Sequence, residues 1–117
     1  MMRPMRSGMM RQRDIVIVPI SYSDLVGRKW RPALVVSNDR LNFSSDDIIV
    51  YPLTSSTKRR YVLEIDEADI IDGELMQKSS VRYDNPLTIE KLYVRNLIAR
   101  VSKAFFAQVK EKIIGMM

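Results

Sequence analysis

The chain has 117 residues, of which 46% are apolar and 28% are charged, and this composition fits a single globular domain. It has no cysteine and no histidine, which excludes disulfides, thiolate metal sites and catalytic triads built on histidine. Catalysis would therefore depend on carboxylate, guanidinium, amine, hydroxyl or phenol groups. The apolar runs are far shorter than the about twenty residues that cross a bilayer, so we expect a cytoplasmic protein without a membrane partner.

The net charge of +5 is unevenly distributed. Residues 1–13 hold four arginines and no acidic residue, so the rest of the chain is nearly neutral. Basic residues cluster at 28–31 and 58–60, whereas residues 64–74 hold six acidic and no basic residues. Segregated basic patches suit a polyanionic partner, although a normally solvated surface explains them equally well.

The first residues lack apolar periodicity and the apolar core of a signal peptide. We therefore predict a disordered extension over residues 1–12 and one domain over residues 13–117. Within that domain, β-branched or alternating segments indicate strands, and Pro52 suggests an edge strand or a bulge. The predicted strands are 14–20, 31–38, 48–53, 59–66, 79–89 and 93–102.

The remaining segments indicate loops and a single C-terminal helix. Residues 21–30 and 39–47 are rich in turn formers, and residues 67–75 suggest one helical turn ended by Gly73. Ser102 is a helix cap for residues 103–114. Many short strands with one terminal helix predict a mainly β fold, a small SH3-like curled barrel.

The predicted helix carries an apolar stripe. Two adjacent phenylalanines within it, Phe105 and Phe106, lead us to expect that one ring is partly exposed, either as a partner contact or as the rim of the domain. The stripe consists of Phe105, Phe106, Val109, Ile113 and Ile114.

Arg82 and Asp84 are the first candidates for chemistry. Residues two apart in a strand share a face, so these side chains and that of Ser80 are expected side by side. A guanidinium can neutralise phosphate oxygens while a carboxylate accepts a proton from a ribose hydroxyl. A simple surface ion pair is the alternative interpretation.

Arg31 and Thr54 form a second candidate pair. Arg31 begins one predicted strand and Thr54 ends the next, and sequential strands are usually antiparallel neighbours. The two side chains are then expected to meet at one phosphate. Taken alone, the hydroxyls of residues 54–56 also fit an ordinary polar turn.

Four segments resemble the MazF/PemK (Kid) family, the toxins of bacterial and archaeal toxin–antitoxin pairs. The resemblance extends over residues 12–115. Its segments are "RDIVIV" at 13–18, "RPALVVSND" at 31–39, "IIVYPLTSS" at 48–56 and "SVRYDNPLTIEKL" at 80–92.

The resemblance implies a dimeric, SH3-like barrel that cleaves single-stranded RNA at short sequences by attack of the 2′-oxygen, without a metal or other cofactor. A separate, acidic and partly disordered antitoxin protein would neutralise it. Asp84 is then the base, Arg82 and Arg31 stabilise the phosphorane because a guanidinium is a poor acid, and Thr54 binds a phosphate oxygen. The residues expected to bind RNA are Arg28, Lys29, Ser55, Lys58 and Ser80.

The chain departs from the family pattern in three places. One of them is the unusually acidic segment at 64–74, which could repel RNA or mimic part of an antitoxin, although a solvated acidic face is the favoured explanation. The loop at 21–30 lacks the usual Gly-Ser-Glu stretch, so Arg28 and Lys29 are expected to take over backbone contacts there. Arg13 replaces the usual glycine before the first strand. The alternatives are a binding module without catalysis, a degenerate toxin, and a gyrase-poisoning relative; a C-terminal tail without tryptophan argues against the last.

Overall fold

The computed structural model describes residues 3–4, 10–21 and 28–117, and this part of the chain forms nine strands and two α-helices. Short 3₁₀ helices at Glu67–Asp69 and Lys91–Tyr93 connect some of the strands. The strands are β1 (Arg3–Pro4), β2 (Asp14–Ser21), β3 (Arg28–Val35), β4 (Asp47–Thr54), β5 (Val62–Ile65), β6 (Ile70–Gly73), β7 (Ser79–Arg82), β8 (Leu87–Glu90) and β9 (Asn96–Val101), and the helices are α1 (Asp39–Ser44) and α2 (Lys103–Gly115).

The strands form one antiparallel sheet in the order β1-β9-β2-β3-β4-β7-β5, with β6 also paired to β9 and β8 to β4. The fold is therefore mainly β with a C-terminal helix, as predicted. β4 changes partner along its length, since residues 47–50 pair with β8 and residues 53–54 pair with β7. Pro52 lies between these two ladders, and its register with β3 is regular. β4 is therefore neither an edge strand nor bulged at Pro52, and that prediction was wrong. The missing N–H is tolerated because Pro52 lies where the partner of β4 changes.

Two apolar clusters fill the space on the two faces of the sheet. Ile15 belongs to one cluster, and Val16 and Val18 belong to the other. This arrangement explains why the segment at 14–20 is apolar without alternation. The first cluster is covered by α2, whose N-terminus is capped by Ser102 accepting a hydrogen bond from the Phe105 N–H at 3.1 Å.

The helix corrects two predictions. Phe105 and Phe106 are both buried, so neither ring is available as an exposed contact. Adjacent helical positions are only about 100° apart, and a wide apolar face accommodates both. Ile114, predicted in the stripe, is 67% exposed.

Three predicted segments differ in the structure. Residues 39–47 contain the helix α1, whose cap Asn38 accepts a hydrogen bond from the Leu41 N–H at 2.9 Å. The helical turn predicted in 67–75 is present as the 3₁₀ helix Glu67–Asp69, but it ends before β6 and not at Gly73, and 79–89 is split into β7 and β8 by a turn. In each case a short cap or turn overrides a pattern averaged over the whole segment.

The packed domain includes residues before the predicted boundary at Arg13. Met10 is buried in the second cluster, and the Gln12 N–H donates to Asp39 Oδ1 at 2.8 Å. Most of the extension predicted at 1–12 lies outside the described residues. Neither helix in the described ranges has the length and apolar character of a membrane span.

Candidate active site and cationic groove

An open groove of about 430 Å³ lies where β3, β4 and β7 end or begin. Among the described residues, four cationic side chains line it: Lys29, Arg31, Arg59 and Arg82. None of the described residues that line this groove is acidic, so its surface favours an anion. Its hydroxyl and amide groups come from Thr54, Ser55, Ser56, Gln77, Ser79 and Asn85.

Arg31 and Thr54 both line this groove. They lie just beyond the last pair of the β3–β4 ladder, in which Ala33 is opposite Pro52. The Thr54 hydroxyl also accepts the Ser56 N–H at 3.1 Å. The two residues therefore share one groove, and residues 54–56 also form a polar turn.

Arg82 and Asp84 lie close together, but for a different reason from the one predicted. β7 ends at Arg82, and a turn follows in which the Asn85 N–H donates to the Arg82 carbonyl at 3.4 Å. Asp84 therefore does not share a strand face with Arg82. The turn places its carboxylate Oδ1 3.6 Å from Arg82 Nε, beside the groove and outside its lining.

The Arg82 guanidinium is poorly satisfied by the protein. Its Nε is buried without a hydrogen-bond partner in the described structure, because the contact with Asp84 is longer than a hydrogen bond. A buried donor without a partner costs about 1–3 kcal/mol. Such a donor at the wall of a cationic groove is suited to an incoming anionic oxygen.

Some of the residues predicted to bind RNA line the groove and others do not. Lys29 and Ser55 line it. Ser80 pairs with Thr54 across the strands, and its neighbour Ser79 lines the groove instead. Lys58 is exposed outside the lining, and the side chain of Arg28 lies outside the described residues.

Sequence reasoning missed Arg59, Gln77, Ser79 and Asn85 as groove residues. The basic cluster at 58–60 and the segment at 80–92 pointed to the correct region. The direction of each side chain depends on where a loop or strand begins, and the residue pattern does not contain that information. In the described ranges, no group of three or more acidic residues is arranged to hold a metal ion.

A curled antiparallel sheet, a cationic groove and an arginine–carboxylate pair beside it define a small, mainly β domain with a surface that favours anions. The family model of the PemK-like, MazF-like toxins of type II toxin–antitoxin systems matches residues 11–117. The chain therefore belongs to this toxin family, as its resemblance to that family implied.

Solved structures support the same fold. The Mycobacterium tuberculosis toxin MazF-mt6 superposes with a TM-score of 0.70 at 22% identity, covering 88% of this chain and 94% of that one. A MazE–MazF structure from Deinococcus radiodurans gives 0.68 at 20% identity, covering 92% and 93%. An endoribonuclease in complex with its cognate antitoxin from a mycobacterial species gives 0.66 at 18% identity, covering 91% and 92%. Comparison with curated protein sequences gives no match.

Proposed function

We propose that this protein is an endoribonuclease toxin that cleaves single-stranded RNA at short sequences without a metal ion. The observation that carries the proposal is the Arg82 guanidinium, which lines the cationic groove with the Asp84 carboxylate 3.6 Å from its Nε. Membership of the MazF-like toxin family supports the same activity.

In the proposed reaction, a ribose 2′-oxygen attacks the adjacent phosphorus and the 5′-oxygen leaves. Asp84 accepts the proton of the 2′-hydroxyl. Arg82 and Arg31 stabilise the charge on the phosphorane, and the Thr54 hydroxyl donates a hydrogen bond to a phosphate oxygen. The leaving oxygen takes a proton from water, which gives a cyclic phosphate end and a 5′-hydroxyl end.

We further propose that the toxin acts as a homodimer and that an acidic, partly disordered antitoxin occupies the groove and blocks RNA. The four cations of the groove would attract an acidic segment as well as a phosphate backbone. One of the similar structures is an endoribonuclease in complex with its cognate antitoxin, and another is a MazE–MazF structure.

The test is cleavage of a single-stranded RNA in excess EDTA, with chemical identification of the new ends. We expect cyclic-phosphate ends from the wild type. Asp84→Asn and Arg82→Met should each lower the rate by about 10²–10⁴-fold. The matched controls are Asp46→Asn and Arg40→Met, whose residues are exposed and outside the groove.

Cleavage that requires added metal, or variants as active as the wild type, would contradict the proposed mechanism. A wild type that binds RNA in a salt-dependent manner but never cleaves it would instead identify a binding module on the same fold.

A further inference from the structure

A second cavity, of about 290 Å³, lies next to the cationic groove between the end of β2 and the strand β8. Ile20 lines both the cavity and the groove, so the two spaces adjoin. All four residues of β8 line the cavity, which therefore runs along the edge of this strand. Its lining is completed by Pro19, Ser21 and Tyr93.

Both strand edges at this cavity lack a partner strand within the described residues. β8 pairs with β4 only, and the pairing of β2 with β9 stops at Val16. The Ile17 carbonyl accepts the Arg95 N–H at 2.9 Å, so the backbone groups of Ile17 point to this edge of β2. Every second residue of β2 after Ile17 points its backbone groups to the same edge. Pro19 is one of these residues and has no N–H to donate, which weakens pairing with an added peptide strand.

Glu90 lies at this cavity without contributing to the stability of the sheet. It is opposite Asp47 in the register of β8 with β4, and like charges directly opposite each other destabilise a sheet. It also precedes the 3₁₀ helix at 91–93 without making a side-chain capping bond. Its carboxylate is therefore an available hydrogen-bond acceptor at the cavity wall.

Tyr93 gives the cavity an aromatic surface. The residue is 47% exposed although it lines the cavity, so part of it is available for contact. Aromatic rings beside a cationic groove act as stacking surfaces for the bases of single-stranded nucleic acids. The hydroxyls of Ser21 and Thr88 add groups that both donate and accept hydrogen bonds.

We propose that this cavity binds one nucleobase with an exocyclic amino group, from the RNA strand that lies in the cationic groove. The base stacks on Tyr93 and packs on Pro19, and its amino group donates a hydrogen bond to the Glu90 carboxylate. Uracil has no exocyclic amino group, and its N3–H donor is flanked by two carbonyl oxygens that repel a carboxylate, so it should bind this cavity more weakly. The cavity thus contributes to the choice of cleavage sequence, and this inference rests on the proposed ribonuclease activity.

The test is the base preference of cleavage, read by sequencing the products of a randomised RNA library. We expect one position near the cleaved bond to disfavour uracil in the wild type. Glu90→Gln and Tyr93→Ala should each reduce that preference by about tenfold. Leu92→Ala is the control, because Leu92 is an exposed apolar neighbour of Tyr93 outside the cavity.

A binding measurement separates this inference from the activity on which it rests. Uncleavable 2′-O-methyl oligouridines carrying a single adenine, cytosine or guanine are compared with oligouridine alone. At least one amino-bearing base should tighten binding to the wild type, and Glu90→Gln should remove that gain. Active enzyme with an unchanged preference in both variants would overturn the inference alone, whereas a wild type that cleaves no RNA would overturn the proposed function. Equal binding of all four oligonucleotides would also overturn the inference.

Discussion

At the scale of single residues, the departures from the family pattern have visible structural consequences. Arg13, which stands where the family has glycine, adopts a φ of 83°, a region that favours glycine. The position needs that conformation because the Arg13 N–H donates to the Val35 carbonyl and its carbonyl accepts the Val101 N–H. Its guanidinium Nη1 also donates to the Val101 carbonyl at 3.0 Å, a contact that glycine lacks. The sequence indicated the departure, and only the structure shows how the arginine is held.

Arg82 and Asp84 were correctly predicted to lie close together, but the reason given for it was wrong. Alternation over residues 80–84 predicted their proximity, and the segment "SVRYDNPLTI" tied them to the family's chemistry. The proximity arises instead from the turn after β7. A period of two cannot be distinguished from a strand followed by a turn when only two residues, Tyr83 and Asp84, lie beyond the strand.

Tyr51 provides a prediction about pH. Its side chain is 7% exposed, and burial raises the pKa of its phenol above the ordinary value. The folded state therefore favours the neutral phenol. Its contribution to stability is fully present below about pH 10, the pKa of an unfolded tyrosine, and is lost as the pH rises through the folded pKa.

The measurement is the free energy of unfolding in urea for the wild type and Tyr51→Phe between pH 8 and pH 11. We expect the wild type to lose stability relative to Tyr51→Phe above about pH 10. The difference at pH 8 serves as the baseline for the lost hydroxyl. A difference that stays constant over the whole range would contradict the prediction.

At the scale of elements, most strands follow from β-branched runs, and the helix α2 follows from its cap and apolar stripe. The elements that were missed are short. α1 has six residues and contains turn formers, and it forms because Asn38 caps it and Asn42 buries its side chain against Ser37. Such local hydrogen bonds decide the structure of segments too short for periodicity to be read.

Gly73 was expected to end a helical turn and instead ends β6. Its φ is +74°, and a β-carbon there would lie 2.1 Å from the Ile98 carbonyl oxygen and 2.8 Å from the Ala99 α-carbon. Both contacts are with backbone, which cannot move aside without disturbing β9. We expect Gly73→Ala to lower the free energy of unfolding by more than about 2 kcal/mol.

Gly115→Ala is the matched control, since a β-carbon at this position in α2 has no neighbour within 4 Å. It should leave stability unchanged or raise it by up to about 1 kcal/mol. Both variants are compared with the wild type by urea unfolding. Equal effects of the two substitutions would show that the close approach of β6 to β9 does not constrain the backbone.

At the scale of the whole molecule, charge is separated between two neighbouring cavities. The cationic groove adjoins a cavity of about 630 Å³ whose lining includes Asp66, Glu67 and Glu74, and Gln77 lines both. Lys78, which belongs to the acidic lining, has its ammonium 2.6 Å from Glu64. The runs of like charge in the sequence predicted this separation, although not which side chains would face the groove.

This separation has a measurable consequence for RNA affinity. Four cations from the described part of the chain line the groove, and each phosphate neutralised on a single strand contributes about 0.7 to the slope of log affinity against log salt concentration. For an uncleavable 2′-O-methyl oligonucleotide we therefore expect a slope of roughly −3 per groove. Lys29→Gln and Arg59→Gln should each flatten it by about 0.7, whereas Lys112→Gln, on the exposed surface of α2, should leave it unchanged. If Lys112→Gln flattens the slope as much as the groove variants do, then RNA responds to the net charge of the protein and the groove is not its binding site.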